Sequence, residues 1–388
     1  MVSAFDMAAS PAIRFGVGVR QAIPLLARSF GERLVLVTGK RSFVASPFWP
    51  ELQTELEALG ISWRHHIVSG EPSPATVDQM VEALRDWQPQ LVLAIGGGSV
   101  LDAGKALAAM LTEPLGLKNY LEGVGTHKPS GSTLPMIAVP TTAGTGSEAT
   151  KNAVLSEVGT RGFKKSLRHD RFIPRVAIVD PALYLSTPPD ITAQSGMDAF
   201  TQLLESYVST KANPMTDALA LDGMRGIKNG LLVAWENGEN LGARSSMAYA
   251  ALLSGITLAN AGLGVVHGFA SSVGGRIEVP HGLLCGSLMG ITNRLTLPHL
   301  QAHSPALYKY AKAGRLFHPQ VNGKSDRWYA EALISTIEEW TERFRFPGLS
   351  QFGLTESLIP EIVKATGQKN HPVSLSEEEM GRILMERM

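Results

Sequence analysis

The segment "GMDAFTQLLESYVS" (196–209) reads as a helix and carries Asp198 and Gln202 four residues apart. At that spacing a carboxylate and an amide project from one side, one turn above the other. Their neighbours are Met197, Ala199, Phe200 and Leu203, so the pair needs a polar partner, and a metal ion is one that a carboxylate suits. Two imidazoles, His267 and His281, lie fourteen residues apart in the glycine-studded "GVVHGFASSVGGRIEVPHG" (264–282). Carboxylate and imidazole together suit zinc or ferrous iron. Three protein ligands with a position left open make a Lewis acid that polarises a bound oxygen.

A second kind of chemistry is written in glycines. In "AIGGGSVLDAGKALA" (94–108), Gly96, Gly97, Gly98 and Ser99 stand between a buried strand and a helix. Glycines admit a ligand close to the backbone, and the free N–H groups of a helix start attract an anion. Neither G-x-G-x-x-G nor a G-K-[ST] P-loop is present there. "PTTAGTGSEAT" (140–150) follows another strand and gathers Thr141, Thr142, Thr145 and Ser147 around a turn that suits a pyrophosphate or ribose. Two such turns at the carboxyl ends of parallel strands predict a dinucleotide along that edge. A third strand end, "LVTGKRSF" (36–43), reads Thr38, Gly39, Lys40, Arg41. It lacks a carboxylate for a ribose 2′-hydroxyl and offers cations for a 2′-phosphate, which tips the reading towards NADP over NAD. A solvated basic turn is the alternative.

The elements that must position these residues divide the chain in two. "RLVLVTG" (33–39), "QLVLAIGGGS" (90–99), "LPMIAVPTT" (134–142) and "PRVAIVD" (174–180) read as buried strands. Helices at 47–60 and 74–87 alternate with them. Continuous apolar strands separated by helices predict a Rossmann-like, doubly wound parallel sheet covered on both faces. Beyond "LYLSTPPDIT" (183–192) the pattern is helical, at 191–208, 214–234, 243–262 and on to the end. The segment 244–262 is apolar nearly all round, as the central helix of a bundle would be. A boundary near Ser186 gives an α/β dinucleotide-binding domain over 1–185 and an all-α metal and substrate domain over 186–388.

Bulk composition removes other classes. With 35 basic and 35 acidic residues in 388, the formal net charge is zero, so nothing marks a nucleic-acid or anionic-membrane surface. Cys285 is the single cysteine, which excludes a disulfide framework, a Cys-based zinc site and an iron–sulfur cluster within one chain. The N-terminal residues do not read as a secretory signal, and no run of about 18 apolar residues could span a membrane. A cytoplasmic protein acting on small molecules is expected.

Taken together, "FGVG" (15–18), "GGGSVLD" (96–102), "PTTAGTGSE" (140–148), "GMDAFTQLLESYVS" (196–209) and "HGFASSVGGRIEVPHG" (267–282) resemble the iron-containing (group III) alcohol dehydrogenases in order and spacing, nearly end to end. The resemblance implies a dehydroquinate synthase-like fold, NAD(P), a metal in the interdomain cleft, and interconversion of alcohols with aldehydes or ketones. It implies a homo-oligomer, dimeric or larger. Asp198, His267 and His281 match three of the four family metal ligands. The fourth, ordinarily histidine, is Gln202, whose amide oxygen would be a weaker donor. A second family histidine, near the nicotinamide, is replaced by Ser271, which could relay a proton without acting as a tuned base. Asp102 and Lys164 join the cofactor-binding set, Lys164 as the ribose-holding lysine of "FKKS". Two alternatives follow from the replacements: a maleylacetate-reductase-like or metal-independent oxidoreductase, its acidic substrate requiring a cation such as Arg276 or Lys151 in the cleft, or a nucleotide-binding homologue without catalysis.

Overall fold

The structure, a computed structural model, describes residues 4–388. Among the described residues, eight strands, β1 (Ala12–Phe15), β2 (Arg33–Gly39), β3 (Ser62–Val68), β4 (Leu91–Gly96), β5 (Met136–Pro140), β6 (Asn152–Glu157), β7 (Phe163–Arg168) and β8 (Val176–Val179), all fall in the first half. Six of them form one sheet, ordered β1-β8-β5-β4-β2-β3, and every pairing in it is parallel. The helices of this half are α1 (Ile23–Phe30), α2 (Phe48–Ala58), α3 (Pro74–Arg85) and α4 (Gly98–Met110).

Side chains that alternate along the strands build two cores. Leu34, Leu36, Leu91, Leu93 and Ile95 pack with Ile23 and Ala27 of α1 and Leu52 and Leu56 of α2. Val35, Val37, Val92 and Ala94 pack on the other face with Val77 and Leu84 of α3 and Leu101 of α4. Both faces are thus covered, which is why the central strands read as unbroken apolar runs. Four strands escape that rule. β1 is a four-residue edge strand with Ile13 and Phe15 exposed, β3 is a polar edge strand, and β6 with β7 forms a separate antiparallel hairpin.

From Pro189 onward the chain is helical: α5 (Pro189–Val208), α6 (Pro214–Glu236), α7 (Leu241–Ala261), α8 (Val265–Gly274), α9 (His281–Thr296), α10 (Pro305–Phe317), α11 (Asp326–Arg343), α12 (Ile359–Ala365) and α13 (Glu377–Met385). Asn213 starts α6 by accepting from the Met215 and Thr216 N–H groups, and Pro214 supplies a preset φ at the first helical position. α7 packs against both α5 and α6, which its near-uniform apolarity requires. Phe200 of α5 stacks on Phe317 of α10 at 5.2 Å between ring centroids and tilts against Trp340 of α11. Such aromatic contacts each add about 0.5–1.5 kcal/mol beyond area burial. Among the described residues, no single helix is long and apolar enough to cross a membrane.

The two halves meet backbone to backbone. Gly146, in the turn after β5, has φ +61°, and a Cβ there would stand 2.4 Å from the Gly255 nitrogen on α7. A Cβ on Gly255 would stand 2.1 Å from the Gly146 carbonyl oxygen. No side chain fits at either position.

Candidate functional site

Asp198, Gln202 and Glu205 share one face of α5, since spacings of four and three return the helix to the same side. That face is buried, so its polar atoms must find partners within the protein. α8 brings His267 to it from its first turn, and α9 brings His281 as its first residue. Asp198 Oδ1 lies 3.4 Å from His267 Nε2 and 3.6 Å from His281 Nε2. Cys285, one turn along α9 from His281, places Sγ 3.7 Å from His267 Nε2 and 3.8 Å from His281 Nε2. One donor atom from each of these four residues lies within 4.8 Å of every other.

These residues fit a divalent metal. Asp198 Oδ1 is buried and has no hydrogen-bond partner, an arrangement that costs free energy unless a cation meets it. Burial raises the Asp198 pKa, but His281, His267 and the Gln202 amide outweigh it and leave the carboxyl below its ordinary range. Burial disfavours the His267 cation, yet Cys285, Asp198 and Glu205 together lift its pKa well above the usual imidazole value. Donors that draw protons onto their own imidazoles are short of positive charge, and a metal supplies it.

Glu205 sets the orientation. Its Oε2 accepts from His267 Nδ1 at 2.7 Å, while its Oε1 accepts from the Val266 N–H at 2.8 Å. The Nδ1 proton is thereby held, so Nε2 is the nitrogen that faces the cluster and would give up its proton to a metal.

Gln202 takes a different part from the one its position suggests. Its Nε2 donates to Asp198 Oδ2 at 3.0 Å and its Oε1 accepts from Ser254 of α7 at 2.8 Å. A carboxylate oxygen can only accept, so the amide must present its NH₂ to Asp198. The amide oxygen, which by sequence would be a weaker fourth donor, is turned here to Ser254, and Gln202 braces Asp198.

The cluster opens onto a cleft of about 960 Å³, part of it open solvent, a size suited to a cofactor or substrate. Gly98, Ser99 and Thr145 form its sheet-edge wall, and His267, Ser271 and His281 its helical wall. The glycine turns interlock: a Cβ on Gly98 would stand 2.5 Å from Thr145 Cγ2, and one on Gly97 would stand 3.2 Å from Thr142 Oγ1. Gly96 ends β4 beside Pro140 of β5, and the Thr141 N–H donates to the Gly96 carbonyl at 3.0 Å. Gly39 ends the neighbouring β2. Exposed Lys40 and Arg41 follow it, and Arg41 shares a second hollow with Thr141.

Three expected site residues lie on the cleft with protein partners of their own. Asp102 accepts from the Ser147 hydroxyl at 2.5 Å and from the Val154 N–H at 3.1 Å, tying the glycine turn to β6. Lys164, on β7, pairs with Glu71. The Ser271 hydroxyl donates to the His267 carbonyl at 3.1 Å. Neither cation considered for an acidic substrate lines the cleft: Arg276 pairs with Glu361, and Lys151 with Asp170 at 2.5 Å. Lys164, Arg168 and Lys369 line it instead.

Four contributors escape the sequence reading. Glu205 stands seven after Asp198 and Cys285 four after His281, both helical repeats that could have flagged them. A single cysteine excludes a site of several thiols, but not one thiol among imidazoles. Ser254 and Lys105 carry no such signal. Lys105 Nζ is buried within 3.0 Å of the Ser147 and Asn152 carbonyls and the Ser147 and Thr150 hydroxyls, and burial pulls its pKa down to about 8.

Comparison with known proteins gives matches over most of the chain. The model described as iron-containing alcohol dehydrogenase matches residues 10–181, and that described as Fe-containing alcohol dehydrogenase family, C-terminal, matches residues 192–388. The chain is similar to alcohol dehydrogenase 4 of Saccharomyces cerevisiae, 38% identical over 318 residues that cover 81% of this chain and 80% of that one. It is 33% identical over 297 residues to the NAD-dependent methanol dehydrogenase of Bacillus methanolicus, covering 76% and 75% of the two chains. The crystal structure of a 1,3-propanediol oxidoreductase superposes with a TM-score of 0.89 at 29% identity, covering 100% of both chains.

Proposed function

We infer the reaction from one premise: the chain belongs to the iron-containing alcohol dehydrogenase family. It is an oxidoreductase acting on alcohols with a nicotinamide dinucleotide. Hydride passes between the alcohol carbon and nicotinamide C4, the hydroxyl proton is released, and an aldehyde or ketone is formed; the reverse direction reduces the carbonyl. The observation that carries our finer reading is the convergence of Asp198, His267 and His281 beside a cleft walled by two glycine turns. We propose that these three side chains hold a divalent ion, which when bound supplies Lewis-acid polarisation of the substrate oxygen.

The remaining roles fall to the chain's own groups. Gly96, Gly97, Gly98 and Ser99, with Thr141, Thr142 and Thr145, receive the dinucleotide phosphates and ribose, and Lys164 supports the nicotinamide ribose. Asp102 keeps the two turns in contact. Ser271 passes the hydroxyl proton outward. Lys40 and Arg41, with no carboxylate at Gly39, favour NADP over NAD. The open edge of β1, with Ile13 and Phe15 exposed, supports assembly of a dimer or larger oligomer. The composition supports a cytoplasmic location.

The test is oxidation of NADPH and NADH against a panel of aldehydes, after chelation and with zinc or ferrous iron restored. Turnover that returns with metal is expected. Equal turnover without metal overturns the metal reading, and cofactor binding with no turnover on any aldehyde overturns the catalytic one.

A further inference from the structure

We propose that Cys285 is a ligand of the bound metal, supplying by thiolate the donor that is missing at position 202, and that the site is thereby a zinc site. This rests on the reading of Asp198, His267 and His281 as ligands, and adds a fourth from a residue type that the other three do not share.

The geometry centres on one point. Ligands bound at about 2.0–2.3 Å in a tetrahedron stand roughly 3.3–3.6 Å from one another, and such a set can open to five-coordination to admit the substrate oxygen. Four of the six separations among Asp198 Oδ1, His267 Nε2, His281 Nε2 and Cys285 Sγ, at 3.4, 3.6, 3.7 and 3.8 Å, lie at or just beyond that range, and all six lie within 4.8 Å. Cys285 is fully buried, and its sulfur faces the two imidazole nitrogens rather than a carbonyl of its own helix. A buried cysteine is usually a small apolar filler. This one shares its focus with Asp198 Oδ1, a buried acceptor without a hydrogen-bond partner. Gln202 turns its NH₂ to Asp198 and its oxygen to Ser254 Oγ, 2.8 Å away on α7.

Charge and softness choose the ion. Carboxylate and thiolate together neutralise a divalent cation, which lowers the cost of holding it in a buried site. The thiol proton leaves to bulk buffer as the ion binds. Thiolate is a soft donor that suits zinc, and zinc also stands above ferrous iron in affinity for a given set of ligands.

X-ray absorption at the zinc edge of the zinc-loaded wild-type chain tests this without any variant. One sulfur scatterer at about 2.3 Å, beside nitrogen or oxygen scatterers at about 2.0–2.2 Å, is expected. Zinc surrounded by nitrogen and oxygen alone overturns this proposal and leaves the carboxylate–imidazole reading standing. A chain that retains no zinc after dialysis overturns both. Cys285→Ser should lose the sulfur scatterer, and its zinc affinity in competition with a chelator should fall at least about tenfold, the lower bound seen for loss of an outer partner. Unchanged affinity in a folded Cys285→Ser chain also overturns the proposal.

Discussion

Glu205 Oε2 lies 2.7 Å from His267 Nδ1, across the imidazole from the nitrogen that faces Asp198. The contact fixes which ring nitrogen carries the proton, and so which is free to bind a metal. Partners of this kind typically contribute 10–100-fold in affinity. Glu205→Ala should therefore weaken zinc binding by about that factor, measured by chelator competition. Wild-type affinity in that variant would mean the ring is held by its packing alone.

Removing a ligand should separate the two binding functions. His267→Ala is expected to lose metal and metal-dependent turnover while still quenching protein fluorescence with NADPH, since the glycine turns lie on the opposite wall. Turnover that persists and ignores chelator would rule out a metal-dependent reaction.

The converse split is expected at the sheet edge. A methyl at Gly98 would intrude to within 2.5 Å of Thr145 Cγ2, where the dinucleotide phosphates are proposed to sit. Gly98→Ala should raise the cofactor KM by about tenfold or more, a cost of about 1.4 kcal/mol, with zinc content unchanged. Equal loss of zinc would instead indicate that the domain itself is disturbed.

Cofactor choice has its own variant. Arg41→Ser removes an exposed cation beside the end of β2. The NADPH KM should rise several-fold while that for NADH stays put. Parallel changes in both would discard the 2′-phosphate assignment.

How much of this was legible in the sequence depended on where each residue's constraint lies. β2, β4, β5 and β8 were legible because burial on both faces makes every position apolar. β1 was not, because "AIRF" is short, exposed and paired on one side only. β3, "SWRHHIV", hides for the same reason: an edge strand keeps polar side chains. In the site, Asp198, His267 and His281 stood out by type and motif. The role of Gln202 did not, because it is decided by Ser254, fifty-two residues away on α7. Cys285 reads in the sequence only as a cysteine without a disulfide partner, since its meaning comes only when α9 is laid against α5.

A pH prediction follows from His371. Burial lowers its pKa to about 4 from 6.5, and the neutral ring contacts Thr296 Oγ1 through Nε2 at 2.8 Å. Between those values the unfolded chain binds a proton that the folded chain refuses, so stability falls as pH drops through that window. The full difference amounts to about 3 kcal/mol. Thermal unfolding of wild type should show this slope between pH 7 and pH 5, and His371→Gln should flatten it. Identical slopes would assign the acid sensitivity elsewhere.

Gly146 and Gly255 touch with nothing but backbone between them. The turn after β5 is therefore seated directly on α7, so a side chain at either glycine would have to lift the sheet-edge wall of the cleft away from its helical wall.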